Sequence, residues 1–455
     1  MHIKRSINFS RISILTVFLS CFIFIPLQKI DAGKSRDADQ SSQLKMVQRA
    51  LNLILDNYHK PNIDFQQLLY GAVKGMIKEL DDPFSRFMEP EKFKDMEVET
   101  QGEFGGLGIV ISIRDDILTI IAPIEDTPAY RAGVLAGDKI VKIDGKSTEG
   151  MSTQDAVKVL RGLVGTKVTI GIMRKSFKKP KDYVITRAII KIKSTKARIL
   201  KNSKGNIGYI RLTNFMKTSA SDLEKALNAL EKNKIIGLIL DLRNNPGGLL
   251  NSAVDIARKF LSKGVIVSIR GRDQEPITYS SFYKSHPDIP LVVLINRGSA
   301  SASEIVAGAI RDNKRGLLLG EKTFGKGSVQ TIMQLPNGAA MALTTALYYL
   351  PNGETIHKKG INPDIEVKMP ELSEKETKKI IADQEKKEKE NYKKVNERIQ
   401  KEKAAIASGT LDPKKKIFFL ENLEIPSYDV QLLKAVNILK ANHIFTQYNK
   451  KETKN

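Results

Sequence analysis

Three short stretches combine small residues with side chains that can carry out hydrolytic chemistry. They read NRGSASASEIVAG around Ser301, GEKTFGKGS around Lys326 and LILDLRNNPGGLL around Gly247. Hydrolysis of an amide or ester needs a nucleophile, a base that takes its proton, and donors for the oxyanion. A serine cluster, a lysine between glycines and a glycine pair supply one candidate for each of these roles.

The serine cluster follows an apolar run, PLVVLIN, and precedes a helical pattern that begins near Ser303 or Glu304. A strand-to-helix turn exposes a serine hydroxyl, and the amides at a helix N-terminus are available to bind an anion. Ser299, Ser301 and Ser303 are all candidates for the nucleophile on this pattern. The alternative interpretation is that they are N-cap residues, because serine is a preferred residue type there.

The sequence of the lysine stretch is similar to that of a phosphate-binding loop, in which G-x-x-x-x-G-K is followed directly by Ser or Thr. The loop fits as far as Lys326, but Gly327 stands where the magnesium ligand belongs, and Ser328 comes one place late. An ATP-binding protein is therefore disfavoured. A lysine can instead act as a general base where burial disfavours its charged form.

A histidine triad and a metal centre are the competing hydrolytic designs. His286 in YKSHPD and His357 in TIHKKG are the candidates for a Ser-His-Asp triad, but neither lies at a glycine-rich strand end. The zinc motif H-E-x-x-H is absent from the sequence, so no metal site is predicted.

Apolar runs of strand length alternate with helical patterns over residues 189–370. The runs are NIGYIRLTNF, IIGLILDLR, PLVVLINRG and GLLLGEK. Strands that are apolar on both faces and alternate with helices form a parallel sheet covered on both sides. Functional residues of such sheets lie beyond the C-terminal strand ends, so the serine cluster and the glycine pair are expected at one edge. The alternative for DLRNNPGG is a plain Asn-Pro-Gly turn.

The flanking segments have different patterns. Residues 40–100 contain two amphipathic helical patterns, and residues 102–187 contain short strands of alternating apolar residues around two helix-like pieces. Residues 371–455 begin as a charged, helix-prone run and end in a shorter amphipathic helix, VQLLKAVNILKANHIF.

The N-terminal segment, residues 1–32, has the pattern of an export signal. A basic start, MHIKRSINFSR, precedes sixteen uncharged residues, and Ala32 offers a cleavage end. The apolar run is short for a spanning helix, which needs about 20 residues, but an uncleaved membrane anchor stays open. Cys21, the only cysteine, lies in this segment, so the mature chain is predicted to contain no disulfide or thiolate metal site.

The composition is that of a globular protein, with 41% hydrophobic and 27% charged residues among 455. The 74 Lys and Arg against 51 Asp and Glu give a formal charge of +23. Lysines interleave with glutamates in KKEKENYKK, which is typical of a solvated helix. No dedicated nucleic-acid face is predicted.

The glycine pair, the serine cluster and the lysine stretch follow one another in this order along the chain. In that order they resemble the motifs of the carboxyl-terminal processing proteases, the tail-specific serine peptidases of family S41. LDDPFSRFMEPEKF and IHKKGINPDIEV resemble the family as well. The resemblance implies an α/β fold: a parallel-sheet, ClpP/crotonase-like protease core at 189–370 with an inserted PDZ domain at 102–187. The helical regions at 40–100 and 371–455 flank them.

The resemblance also implies the site residues. Ser301 is the expected nucleophile, Lys326 the general base and Gln330 the residue that orients the lysine. The expected oxyanion donors are the backbone N–H groups of Gly247 and Ala302. An acyl-enzyme forms and water resolves it, so no cofactor is expected.

In the PDZ-like block, GGLGI resembles a carboxylate-binding loop. Amides of Gly106, Leu107 and Gly108 are expected to bind a terminal carboxylate, and the strand from Ile109 to pair with an extended peptide tail. Apolar tails are expected because Ile and Val line the groove. Arg161 in VLRG is the candidate for a gating contact, with a surface arginine at a helix end as the alternative.

These expectations describe a secreted serine endopeptidase that cleaves envelope proteins with apolar C-termini, located in a bacterial periplasm or cell envelope. Its expected partners are protein substrates, with no nucleic acid, and with the membrane only through an uncleaved segment 1–32. A homodimer or an adaptor stays open. The alternative is a catalytically silent PDZ scaffold that tethers envelope proteins; the presence of Ser301, Lys326 and Gln330 together speaks against it.

Overall fold

The computed structural model describes most of the chain from residue 34 onward. The described ranges are 34–60, 62–124, 126–201, 205–272, 275–282, 286, 288–370 and 420–452, with isolated positions between 373 and 408. The predicted export segment, including Cys21 and Ala32, lies outside them. Within these ranges no helix has the length and apolar character needed to cross a membrane.

The chain divides into two compact units, one that ends at Gly71 and one that begins at Ala72. The two N-terminal helices predicted by apolar spacing are α1 (Lys34–Asn57) and α2 (Phe65–Lys78). A short strand β1 (Arg86–Met88) and helix α3 (Pro90–Gln101) follow. The turn before β1 is tight, because the carboxylate of Asp82 accepts hydrogen bonds from the N–H groups of Phe84 and Ser85 and from the Ser85 hydroxyl.

The next block has a core of its own. Its elements are β2 (Glu103–Gly106), β3 (Ile109–Arg114), β4 (Ile117–Pro123), α4 (Pro128–Ala132), β5 (Lys139–Ile143), β6 (Lys146–Ser147), α5 (Thr153–Leu160), β7 (Lys167–Met173), β8 (Lys181–Thr186) and β9 (Ala188–Lys191). β3, β4, β5, β7 and β8 form an antiparallel sheet in that order, and β6 pairs with β5. β2 pairs with β9, so the two ends of the block meet.

The remaining elements, from Thr195 onward, build the α/β part of the chain that contains the main sheet. They are β10 (Thr195–Leu200), β11 (Asn206–Leu212), α6 (Ser219–Lys232), β12 (Ile235–Asp241), α7 (Leu250–Phe260), β13 (Gly264–Gly271), β14 (Ile277–Ser281), β15 (Leu291–Ile295), α8 (Ala302–Asp312), β16 (Leu317–Gly320), β17 (Ser328–Gln334), β18 (Ala340–Tyr349), β19 (Ile365–Glu366), β20 (Glu421–Asn422) and α9 (Val430–Glu452).

The main sheet has seven strands in the order β19-β16-β15-β12-β11-β10-β20. Neighbours are parallel except for β10 and β11, which are antiparallel. The predicted parallel sheet is therefore confirmed, with one antiparallel pair that the apolar pattern did not reveal.

Both faces of the main sheet are covered, which explains why its strands are apolar throughout. Leu238 and Leu240 of β12 pack with α6, α7 and α8, whereas Ile239 between them packs against α9 on the other face. This alternation follows from the two-residue period of a strand. The amphipathic helix predicted near the C-terminus thus covers the central strands of one face.

A second sheet contains β1, β18, β13 and β14 in that order, with β17 paired to β18. The sequence LPNG at residues 335–338 forms the turn that joins β17 to β18. This hairpin begins at Ser328, directly after the lysine loop, and β1 brings the Asp82 turn beside it.

Candidate active site

Ser301 occupies the turn between β15 and α8. Its backbone has φ 55° and ψ −113°, a conformation that costs a non-glycine residue about 1–3 kcal/mol. Such strain persists only where the surroundings fix it, and here the N–H of Ser301 donates to Oε2 of Glu304 at 2.8 Å. A strained, partly exposed serine at a strand-to-helix turn is the arrangement that presents a nucleophile to a substrate.

The two neighbouring serines are engaged elsewhere. Ser299 Oγ donates to the carbonyl of Leu242 at 2.8 Å, and Ser303 Oγ donates to the carbonyl of Asn245 at 2.9 Å. Both side chains are fully buried, whereas Ser301 is partly exposed. Of the three candidates in the cluster, Ser301 alone is accessible to a substrate.

Gly247 lies against Ser301. A Cβ on Gly247 would be 2.7 Å from the carbonyl oxygen of Ala300, 2.9 Å from Ser301 Cβ and 3.0 Å from the Ala302 nitrogen. With its φ of 103° as well, only glycine fits this position. Gly247 N–H donates to Oδ1 of Asn245 at 2.9 Å. An oxyanion bound here would either share this N–H with Asn245 Oδ1 or displace Asn245 Oδ1 from it. Ala302 is the first residue of α8, where N–H groups lack partners inside the helix.

Asn245 links the turn that follows β12 and contains Gly247 (residues 243–248, the glycine turn) to the turn that follows β15 and contains Ser301 (the serine turn). Its carbonyl accepts from the N–H of Ala300 at 3.0 Å and from the hydroxyl of Ser303 at 2.9 Å. Its side-chain amide donates to the carbonyl of Leu212 at 2.8 Å. The two turns predicted at one sheet edge are therefore neighbours, held by backbone and side-chain bonds.

Lys326 lies in the loop between β16 and β17. Its Nζ donates to Oε1 of Gln330 at 3.1 Å and lies 5.1 Å from the centroid of the Phe84 ring. Burial lowers the pKa of Lys326 below the usual lysine value, and the nearby cation of Arg86 lowers it further, while Asp82 partly opposes them. The site therefore makes the neutral amine, which is the form that accepts a proton, easier to reach than in an exposed lysine.

Gln330 on β17 is held at both ends of its amide. Its Nε2 donates to the backbone carbonyl of Phe84, in the Asp82 turn, while its Oε1 accepts from Lys326. Because a carbonyl can only accept, the amide group must direct its NH₂ to Phe84 and its oxygen to the lysine. LDDPFSRF, noticed in the sequence only as a resemblance, thus fixes the orientation of Gln330.

Glu304 is the residue of this site that the sequence interpretation missed. Its Oε1 accepts from Thr323 Oγ1 at 2.5 Å and from the N–H of Gly325 at 2.8 Å. Its Oε2 accepts from the N–H groups of Ser301 at 2.8 Å and Lys326 at 2.9 Å. One buried carboxylate therefore joins the serine turn to the lysine loop. Burial raises its pKa, and the hydrogen bonds that it accepts partly offset that effect.

A signal for part of this arrangement exists in the sequence. Ser301 and Glu304 have the S-x-x-E spacing of a capping box, which predicts the bond from the Ser301 N–H to the glutamate. The bonds to Thr323, Gly325 and Lys326 join segments about twenty residues apart and have no local pattern.

Neither histidine proposed for a triad is hydrogen-bonded to Ser301 in the described part of the chain. His286 bonds Glu231 at 2.7 Å and Glu224 at 3.1 Å. His357 lies beside Phe84, with ring centroids 6.1 Å apart. Among the described residues, no group of three or more His, Cys, Asp or Glu is placed to hold a metal ion.

The predicted tail-binding loop lies between β2 and β3. Leu107 is buried in the core of its block, and Gly108 has a φ of 78° with its backbone against the Thr127 side chain, which leaves no room for a Cβ. Ile109 begins β3, which pairs with β4 alone among the described strands and so lies at a sheet edge. Gly106 ends β2.

Arg161 follows α5 and is engaged in this structure. Its guanidinium lies 4.4 Å from the centroid of the Phe104 ring, and its Nη1 lies 3.6 Å from Oδ1 of Asp95 on α3. It therefore contacts β2 and α3 rather than extending into solvent as an isolated helix-end residue.

Comparison with known proteins supports the family resemblance. A model of peptidase family S41 matches residues 206–367, a PDZ-domain model matches residues 119–174, and a model described as the activating protease CtpB N-terminal domain matches residues 24–92.

Three curated relatives align over most of their length. A carboxy-terminal-processing protease of Bartonella bacilliformis is 48% identical over 68% of this chain and 71% of its own length. A carboxyl-terminal-processing protease of Synechocystis sp. is 40% identical over 70% and 76%. The carboxy-terminal processing protease CtpA of Bacillus subtilis is 34% identical over 81% and 79%. This chain therefore belongs to the carboxyl-terminal processing proteases of peptidase family S41, with a PDZ domain.

Proposed function

We propose that this chain is an exported serine endopeptidase that binds apolar C-terminal tails through its PDZ domain and cleaves the bound protein with Ser301 and Lys326. The observation that carries the proposal is the setting of Lys326: a partly buried amine, held by the uncharged amide of Gln330 and joined to the Ser301 turn through Glu304. Export rests on residues 1–32, and the mass of the chain recovered from an envelope fraction tests it.

The proposed reaction has two halves. Neutral Lys326 takes the proton of Ser301 Oγ as this oxygen attacks the scissile carbonyl, and the N–H groups of Gly247 and Ala302 stabilise the oxyanion. The lysine ammonium then returns the proton to the leaving amine, which gives an acyl-enzyme. Water then attacks the ester while the same amine takes its proton, and the lysine ammonium passes that proton to Ser301 Oγ as the acid leaves.

Gln330 suits a lysine base better than a carboxylate would. An Asp or Glu at hydrogen-bonding distance would favour the ammonium and raise the pKa of Lys326. The amide of Gln330 orients the amine without adding charge, so burial and Arg86 keep the pKa low.

The pH dependence of kcat/KM is expected to move upward in Arg86→Gln. Arg86 lowers the pKa of Lys326, so removing its charge raises that pKa, and a higher pH is needed to deprotonate the base. Rate profiles at constant ionic strength check this. Arg131→Gln, an exposed change in the PDZ domain, serves as the control and should leave the profile in place. An unmoved or downward-shifted profile in Arg86→Gln would contradict the electrostatic account.

Tail recognition is supported by the edge position of β3. An extended peptide can add to such an edge as a further strand, with its main chain bonded to β3 and its carboxylate at the amides of residues 106–108. Val110 and Ile113 of β3 are 47% and 41% exposed, and Val159 of α5 is 40% exposed. Apolar side chains at this edge favour apolar tails.

A reporter with a lysine appended to its apolar C-terminus is expected to be cleaved at least roughly tenfold more slowly in kcat/KM, the equivalent of about 1.4 kcal/mol. The reason is that the charge would have to be desolvated against apolar side chains. The measurement is intact-mass kinetics on an unfolded reporter, with an appended leucine as the control of equal length. A single change at the scissile site should matter less. Equal rates for the lysine and leucine tails would rule out recognition of an apolar tail.

A further inference from the structure

A buried ion cluster lies at the start of the glycine turn. Arg243, two residues beyond the end of β12, donates to Asp241 from Nε at 3.0 Å and from Nη2 at 2.7 Å. The same guanidinium donates to Asp429 from Nη1 at 2.7 Å and from Nη2 at 2.9 Å. Gln431 Oε1 accepts a fifth bond, from Nη1 at 3.1 Å. All five donors of the guanidinium are therefore used.

Three of these five bonds go to the C-terminal segment. β20 adds to the main sheet beside β10, and α9 follows and covers the sheet. Asp429 precedes α9 and also caps it, because its Oδ1 accepts from the N–H of Leu432 at 2.9 Å. Gln431 is fully buried, and its Nε2 donates to the carbonyl of Val367 at 2.7 Å.

The cluster depends on all of its members. The side chains of Asp241, Arg243 and Asp429 are only 0%, 10% and 12% exposed. Two carboxylates share one guanidinium here, so loss of the Asp429 carboxylate leaves Arg243 paired with Asp241 but removes the charged acceptor of two of its five bonds. The guanidinium must then shift to find other partners or water. Here the group that would shift is the first residue of the glycine turn.

We propose that Asp429 is a positioning residue for the glycine turn, so that the C-terminal segment contributes to the catalytic centre through this side chain. Asp429 fixes the guanidinium of Arg243, and the turn that starts there reaches Asn245 and Gly247 two and four residues later. Asn245 bonds the serine turn, and Gly247 lies against Ser301. This inference rests on the proposed role of Gly247.

The alternative is that Asp429 only attaches α9 to the sheet, and Leu439 separates the two cases. Leu439 lies on the same helix, is 2% exposed and packs on β12 at Gly237, where a Cβ would lie 2.8 Å from its Cδ2. Leu439→Ala therefore weakens the attachment of the same helix to the same strand without removing a bond of Arg243.

The experiment compares the full chain with Ser301→Ala, Asp429→Asn and Leu439→Ala, well below the lowest melting temperature. kcat and KM are measured on a peptide with an apolar tail, together with the affinity for a peptide boronate, which forms a tetrahedral adduct. We expect Asp429→Asn to lose on the order of 10- to 100-fold in kcat, less than the loss of an oxyanion donor outright, and to bind the boronate correspondingly less well. KM should change less than about twofold, and Leu439→Ala should keep kcat within about threefold even with a lower Tm.

Two results would contradict this inference but not the proposed protease function. In the first, the wild type is active and Asp429→Asn has the same kcat; in the second, Leu439→Ala loses as much kcat as Asp429→Asn. A wild type no more active than Ser301→Ala overturns the protease function on which the inference rests. If Asp429→Asn does not fold, Asp429→Glu decides the question, since it keeps the charge but displaces it. A folded Asp429→Glu with reduced kcat and unchanged KM supports positioning, and one with the kcat of the wild type contradicts it.

Discussion

Ser301→Ala is expected to abolish cleavage, with a loss on the order of 10⁴-fold or more in kcat, because loss of a serine nucleophile leaves only binding and oxyanion stabilisation. The variant should fold, since alanine removes a partly exposed hydroxyl and leaves the backbone bond to Glu304 in place. Intact-mass measurements on an apolar-tailed reporter, extended over days, check this result.

Ser303→Ala is the matched control from the same turn. Its hydroxyl bonds the carbonyl of Asn245 and is fully buried, so its loss should lower the free energy of unfolding by about 1–3 kcal/mol while cleavage continues. An active Ser301→Ala with an inactive Ser303→Ala would reassign the nucleophile. If the wild type and Ser301→Ala are both silent but bind apolar tails, the PDZ scaffold interpretation is favoured.

Lys326→Arg is expected to be folded and to lose at least about 10³-fold in kcat. A guanidinium stays protonated throughout the usable pH range, so it cannot take the serine proton, although its size and charge resemble those of lysine. General-base catalysis accounts for roughly 10²–10⁴-fold of the rate, and the misplaced guanidinium also disturbs the bond to Gln330. The measurement is kcat from pH 6 to 10 with Tm alongside, and raising the pH should not restore activity.

Lys322→Arg tests the same substitution at an exposed position of the same loop and should retain near-wild-type activity. Activity close to that of the wild type in Lys326→Arg would remove Lys326 from the mechanism. A Lys326→Arg protein with a strongly lowered Tm would point instead to a packing role for the lysine.

The elements that the sequence predicted well are those with a local signal. The apolar run before Ser301 and the apolar run before Asp241 both became buried parallel strands, because burial on both faces leaves no polar position in the strand. The serine and glycine turns then had to meet, since parallel strands end at the same edge of the sheet.

The contacts that escaped prediction join segments that are distant in sequence. Glu304 looks like an ordinary helix residue until the lysine loop is folded onto it. In the sequence Asp429 is one of many charged residues near the C-terminus, and only the fold pairs it with Arg243. In the same way, only the fold brings Asp95 of α3 beside Arg161. No periodicity or local spacing encodes these pairs, because the fold alone brings them together.

The bond between Gln330 and Phe84 spans 246 residues of the chain. The N–H of Thr344 on β18 donates to the Ser85 hydroxyl, so the Asp82 turn cannot dock on the second sheet before the ribosome has synthesised the chain up to Thr344. Until then the amide of Gln330 has no carbonyl to orient it, and Lys326 has no oriented partner. If Ser301 and Lys326 act as proposed, a chain that is still being synthesised carries its nucleophile without an oriented base, so the capacity to cleave protein arises only after residues 82–85 and 330–344 have come together.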